Sequence, residues 1–257
     1  MGYRSSPTKF ACFVLTSFSL CVPSLAQSVA KVNRNPISPR ASLEFSAKAK
    51  DYYDRNKLAE CISNSDTSIS LDPQNSSGYI LSGLAYKRLE RYEQAIPLLV
   101  KHLQLFRNEP HWQDQKWETQ TYADLSECYW AVGNTRKAIE SLSNGLGLDP
   151  KSDVCLSRRA ELYCQTKQFK AALADADALI LLAPRFYRNF LLRGRIDMNA
   201  GDYKTAVGDF SKAIRFQSDM ADTYALRARA YEKLGQTDLA LADKQRSRQL
   251  ARQLEDP

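Results

Sequence analysis

The apolar positions of residues 227–243, RARAYEKLGQTDLALAD, are filled by Ala228, Ala230, Ala240 and Ala242, where a soluble helix normally carries Leu or Ile. A helix without large side chains buries little apolar area by itself, so small residues in this pattern predict a second backbone lying very close. The same string aligns with RGRIDMNAGDYKTAVGD at 193–209 and with RAELYCQTKQFKAALAD at 159–175, each time at an offset of 34 residues. Extended in both directions, this register yields six units, 42–75, 76–109, 119–152, 153–186, 187–220 and 221–254, and leaves only 110–118 outside the period.

Within the units the eighth residue is always small (Ala49, Gly83, Ser126, Ala160, Gly194, Ala228), and so is the twentieth (Cys61, Ala95, Ala138, Ala172, Ala206, Ala240). The fourth is bulky: Phe45, Tyr79, Tyr122, Leu156, Phe190 and Tyr224. The eleventh is Tyr52, Tyr86, Tyr129, Tyr163 and Tyr231, with Asp197 as the exception. Pro73, Pro150 and Pro184 stand at position 32, where a second helix must stop. This signature resembles the tetratricopeptide repeat. The resemblance covers 42–254 and implies an all-α fold, a right-handed superhelical solenoid of six helix-turn-helix repeats, with the small residues at positions 8 and 20 marking the closest approach of each helix pair.

Positions 24 and 27 of the second helix are mostly apolar in the middle units: Leu99 with His102, Leu142 with Gly145, Ala176 with Leu179, Phe210 with Ala213. The end units carry Ser65 with Ser68 and Lys244 with Ser247, as expected where an outer repeat faces water. Arg occupies position 7 only in the last three units (Arg159, Arg193, Arg227), and Asp occupies position 23 in the same three (Asp175, Asp209, Asp243). Their joint appearance predicts three Arg–Asp pairs bridging the helices.

In the resembling family the first helices line a concave groove through positions 2, 5, 9, 12 and 13, which share one helical face. Mapped here, the groove presents Tyr53, Ile80, Leu84, Trp130, Cys164, Leu191 and Met198. Among them stand the charged Lys87, Arg88, Glu127, Glu161, Arg188, Arg195, Arg229 and Lys233. A peptide or partner helix with apolar anchors and some acidic residues suits such a surface. The plainer reading is a solvated helix face with scattered apolar residues. Chaperone-binding members of the family grip a terminal carboxylate with Lys at position 5 and Asn at position 9 of the first unit; Ser46 and Lys50 stand there instead, so that ligand is not expected. The insertion PHWQDQKWE at 110–118 brings Trp112 and Trp117 between the second and third units. Packing over an opened junction, with the helix starting early near Asp114, is favoured there over a ligand contact.

Residues 1–26, MGYRSSPTKFACFVLTSFSLCVPSLA, combine a short basic start, an apolar run from Phe10 to Leu25 and a small-x-small ending, which predicts a signal peptide cut before Gln27. The run is too broken by Ser, Thr and Pro23 to suit a retained membrane span. Residues 27–41, with Pro36 and Pro39 and no periodicity, are expected to form a disordered leader ahead of the repeat domain. The formal charge of +7 falls by two when Arg4 and Lys9 are removed, and the remaining Lys and Arg are interspersed with acids from Glu44 onward. That mixture describes a solvated surface better than a nucleic-acid footprint.

Past residue 26 the cysteines are Cys61, Cys128, Cys155 and Cys164, an even count that permits disulfides in an exported protein. Cys155 and Cys164 are nine apart on one helix and point to opposite faces, which excludes their pairing with each other; Cys128 with Cys164, from adjacent units, is the pair to test. Asn75-Ser76-Ser77 fits the N-glycosylation pattern. The two histidines, His102 and His111, form no catalytic or metal-ligating spacing, and no phosphate-binding glycine loop, GxSxG or HExxH occurs. No cofactor, metal or enzymatic activity is expected. The expectation is an exported, non-catalytic scaffold of the periplasm or cell envelope, binding a protein or peptide in the groove, with no nucleic acid and no transmembrane segment in the mature chain. The alternatives are a helical-repeat nucleic-acid binder and a self-assembling structural spacer.

Overall fold

The computed structural model describes residues 38–106 and 115–255. These form helices α1 (Pro39–Asp54) and α2 (Leu58–Leu71), α3 (Ser76–Arg88) and α4 (Tyr92–Phe106), α5 (Gln115–Ala131) and α6 (Thr135–Leu148), α7 (Asp153–Gln165) and α8 (Phe169–Leu182), α9 (Tyr187–Ala200) and α10 (Tyr203–Phe216), and α11 (Ala221–Lys233) and α12 (Thr237–Glu255). Each odd helix pairs with the even helix that follows it, giving six tandem helix-turn-helix units and an all-α solenoid. The segment read as a signal peptide, residues 27–37 of the leader, and Trp112 with most of the insertion lie outside the described residues. The end of the leader does not: Pro39 opens α1, a position where its missing N–H is not needed.

Small residues produce the pairing as the pattern implies. Ala49, Ala160 and Ala228 at position 8 and Cys61, Ala95, Ala138, Ala172 and Ala206 at position 20 are all at 0% exposure. A Cβ on Gly83 would meet Leu99 Cδ2 at 2.8 Å, and one on Gly194 would meet Phe210 Cε1 at 2.7 Å, so those two helix pairs approach as far as glycine allows. The turn inside each unit is equally regular. Its residue at position 15 is left-handed in all six copies, with φ of 59° at Asn56, 58° at Glu90, 78° at Gly133, 59° at Lys167, 87° at Gly201 and 72° at Gly235. Glu90 and Lys167 hold a conformation that only Gly adopts without cost.

The three predicted Arg–Asp pairs form, each through two parallel hydrogen bonds. Arg159 Nε and Nη2 donate to Asp175 at 2.8 and 2.7 Å, Arg193 to Asp209 at 2.6 and 2.8 Å, and Arg227 to Asp243 at 2.7 and 2.8 Å. The remaining guanidinium nitrogen reaches the second helix of the preceding unit. Arg159 Nη1 donates to Ser143 Oγ (3.0 Å), Arg193 Nη1 to Asp177 Oδ1 (2.6 Å) and Arg227 Nη1 to Ser211 Oγ (2.9 Å). One arginine thus holds three helices by charge-assisted bonds.

Two other expectations are corrected. Ser65 and Ser68 do not face water; both are at 0% exposure. The reason is directional: positions 24 and 27 of a second helix pack on the first helix of the next unit, as Leu99 does on Tyr122, Leu125 and Cys128. Only the last unit therefore presents them outward, where Lys244 is exposed. At the other end Ser42 and Ser68 donate to each other's carbonyls at 2.9 Å, and Asn75 Nδ2 donates to both hydroxyl oxygens at 2.7 and 3.1 Å. Asn75, 9% exposed and capping α3 through Ser77 N, is thereby a structural residue and no acceptor for a glycan in the folded chain. The second correction concerns the four described cysteines, Cys61, Cys128, Cys155 and Cys164, which are free thiols. Cys128 packs among Ala95, Leu99 and Leu125 while Cys164 lies against Ala160 and Ala172, so the proposed pair belongs to different clusters. Burial pushes the Cys128 thiol up to about 12, leaving it inert.

Candidate partner-binding groove

The first helices α5, α7, α9 and α11 touch in succession, as do α1 and α3, which aligns one face of each along the stack. The backbones of α3 and α5, separated by the inserted residues, approach less closely. Charged side chains bridge that junction. Lys87 Nζ lies 2.6 Å from Asp124 Oδ1 and 3.0 Å from Glu127 Oε2, and Arg158 Nη1 donates to the same Glu127 oxygen at 2.8 Å and to the Ala123 carbonyl at 3.3 Å. Burial disfavours the charges of Lys87 and Glu127, yet the pairing outweighs it, raising the Lys87 pKa and holding the Glu127 carboxyl below its usual range. Arg88 is also engaged: its guanidinium stacks 3.8 Å from the Tyr53 ring centroid and donates to the Tyr53 carbonyl at 3.1 Å.

The apolar candidates divide in the same way. Ile80 and Leu84 pack against the Leu99–Tyr122 cluster, Leu191 and Met198 against the Phe210 cluster, and Tyr53 against the Ala49 cluster; all are half-buried. Cys164 is half-buried with its sulfur accepting from Asn199 Nδ2 at 3.2 Å. Trp130 differs, being 50% exposed on α5. It opens onto a cleft of about 280 Å³ between α5 and α7, whose walls include Glu127, Arg158, Glu161 and Leu162. Glu161 also lines a second cavity of about 400 Å³ beyond α7, bounded by Leu182, Phe186, Arg188 and Leu192. Phe186 is 48% exposed there.

Among the mapped charges, Glu161, Arg188, Arg195, Arg229 and Lys233 are exposed and form no ion pair among the described residues. The groove mapping missed Arg158 and Asp124, which occupy position 6 and complete the central network, and Phe186, which precedes α9. Their charge and aromatic character were visible; their partners 31 to 40 residues away were not. Trp117 departs from the packing expected of it. It stands in the first turns of α5 at 65% exposure, because the helix begins at Gln115 and turns that residue outward.

Among the described residues no group of three or more His, Cys, Asp or Glu is placed to hold a metal ion. His102 is a core residue whose Nδ1–H donates to the Ser76 carbonyl at 3.1 Å, and burial lowers its pKa. Among the described residues no helix is long and apolar enough to cross a membrane.

Residues 76–108 and 119–152 match the family model described as tetratricopeptide repeat. A human protein, DnaJ homolog subfamily C member 7, is 24% identical over 136 residues, covering 51% of this chain and 28% of that protein. RNA polymerase II-associated protein 3 of Rattus norvegicus is 26% identical over 119 residues, or 46% of this chain and 17% of that protein. This chain thus spans less than a third of the length of these curated relatives. A solved tetratricopeptide repeat protein from Parabacteroides merdae superposes with a TM-score of 0.65 at 21% identity, over 79% of this chain and 77% of that one. The solved fold shares its architecture, and the fold of this chain is an all-α tetratricopeptide-repeat solenoid.

Proposed function

We propose that the chain is a non-catalytic scaffold that holds a segment of a partner protein against the inner face of its first helices, with an apolar side chain of the partner on Trp130. The observation that carries this reading is a half-exposed tryptophan at the mouth of an open cleft in the middle of that face. Covering a large apolar ring at the edge of a cleft is favourable, and solenoids commonly use such extended surfaces to bind. Glu161, exposed and unpaired in the wall of the cleft, disfavours a nucleic acid there. The signal pattern of residues 1–26 supports a site of action in the periplasm or cell envelope.

The test is site-specific photocrosslinking in the native compartment. A probe at Trp130 is expected to trap a protein that an equivalent probe at the exposed Trp117 does not. A partner trapped at Trp117 alone would move the site to the inserted junction. Export is checked by sequencing the mature amino terminus, expected at Gln27; retention of Met1 would exclude the cleaved signal.

A further inference from the structure

We infer that the inner face is electrostatically two-ended and takes a peptide segment that carries a basic residue at one end, an apolar anchor beside it and an acidic stretch at the other. This rests on the groove reading above and adds the chemistry of the partner. Position 9 of the unit, on the first helix, reads Glu127, Glu161, Arg195 and Arg229 in four successive units, so the sign of the charge reverses between α7 and α9.

What matters is which of these charges the protein has already satisfied. Glu127 is shared between Lys87 and Arg158, so the central network is closed. Glu161 stands beyond it, exposed, in the wall common to the two cavities. On the far side Arg195, Arg229 and Lys233 are exposed without an ion-pair partner among the described residues, as is Arg188 at the start of α9, which shares the second cavity with Glu161. The acids at the groove positions of α11 are Asp222, in its first turn, and Glu232, which Lys244 holds. Like charges on neighbouring helices repel, and an acidic segment laid across them replaces that repulsion with attraction; a basic residue over Glu161 does the same with opposite sign.

The spacing is consistent with an extended chain. Packed helices lie about 10 Å apart. At about 3.3 Å per residue, Glu161 and Arg195 are spanned by about three residues and Glu161 and Arg229 by about six. The segment therefore places its basic residue beside an anchor in the Trp130 cleft and its acids about three to six residues further along. A uniform polyanion suits the second half of the face but sets a like charge against the unpaired Glu161.

The test uses three labelled synthetic peptides with the full chain, read by fluorescence anisotropy. The first has the basic–apolar–acidic order, the second has Gln at every charged position, and the third has the charges inverted. At low salt the first is expected to bind at least about tenfold more tightly than the second, and the third more weakly than either. The double change Arg195→Glu with Arg229→Glu, on exposed side chains, should abolish that advantage, and replacing the acidic stretch with Lys should restore binding to the variant. Equal affinity for the charged and Gln peptides, with both weakened by Trp130→Ala, overturns the charge inference and leaves the groove reading standing. Peptide binding indifferent to Trp130→Ala, or none up to about millimolar concentration, overturns both. A single-stranded oligonucleotide that displaces the first peptide and loses affinity in the double variant would replace the peptide with a nucleic acid.

Discussion

Asp197 is the residue whose replacement tests the energetic reasoning most sharply. It occupies position 11, where the other five units carry Tyr, and it is 4% exposed with Oδ2 buried and unbonded. Arg193, one turn earlier, offsets this only in part: its charge favours the Asp197 carboxylate, but it hydrogen-bonds to Asp209 and Asp177. Burial first, and then the Asp209 and Asp202 charges, push the Asp197 carboxyl up from 3.8 to about 6. The gap between those values corresponds to about 3 kcal/mol of cost for keeping the carboxylate ionised in the fold. The sign follows from proton counting: between the unfolded and folded values the native state binds more protons, so this residue's contribution is most favourable in acid and is lost as pH rises through about 6. Asp197→Asn keeps the shape and removes the charge. Denaturant unfolding followed by circular dichroism should therefore show the variant more stable than the parent by up to about 3 kcal/mol near pH 8, and close to it near pH 4. Hydrogen exchange of α9 and α10 amides would localise the gain, which matters because repeat arrays need not unfold in one step. A stability difference that is the same at both pH values would refute the account.

Other outcomes follow from the same geometry. Glu90→Gly and Lys167→Gly should each raise stability by about 1 kcal/mol, measured by thermal melting, since they relieve a left-handed φ, whereas Gly201→Ala should lower it. Gly194→Ala already sets a Cβ 2.7 Å from the Phe210 ring, and Gly194→Leu should cost about 1 to 3 kcal/mol by overpacking; an unchanged melting temperature would sink the proposed helix contact. A double-mutant cycle on Arg193 and Asp209 should give a coupling energy above about 1 kcal/mol, because Asp209 is 2% exposed and bonded twice; a coupling near zero would dispose of the clamp.

The repeat architecture was legible because its determinants recur at a fixed interval. Ala160 and Ala172, or Arg227 and Asp243, are informative through their counterparts one period away, and all lie where the period places them. What repetition does not carry was hidden. Lys87 finds Asp124 across an insertion that breaks the period, so a cation assigned to a partner turned out to be spent internally. Ser65 and Ser68 look like surface residues by type, but second helices pack forward and not backward, and the composition of a unit does not reveal that direction. The turn at position 15 was half visible: Gly133, Gly201 and Gly235 give it away, while Asn56, Glu90 and Lys167 adopt it because the flanking helices impose it.

The arginine clamps occur only in the last three units, and each fastens its own unit to the one before it. The second half of the solenoid therefore has cross-links that the first half lacks, and the two halves should differ in how far a disturbance spreads. Loosening α11 should be felt in α10 and α12 together, through Ser211 and Asp243 on the same guanidinium. A fluctuation opening α1 works instead against the Ser42–Ser68–Asn75 bonds and the contact of Arg88 with Tyr53, neither of which is an ion pair, so the first unit should open at lower cost than the last three.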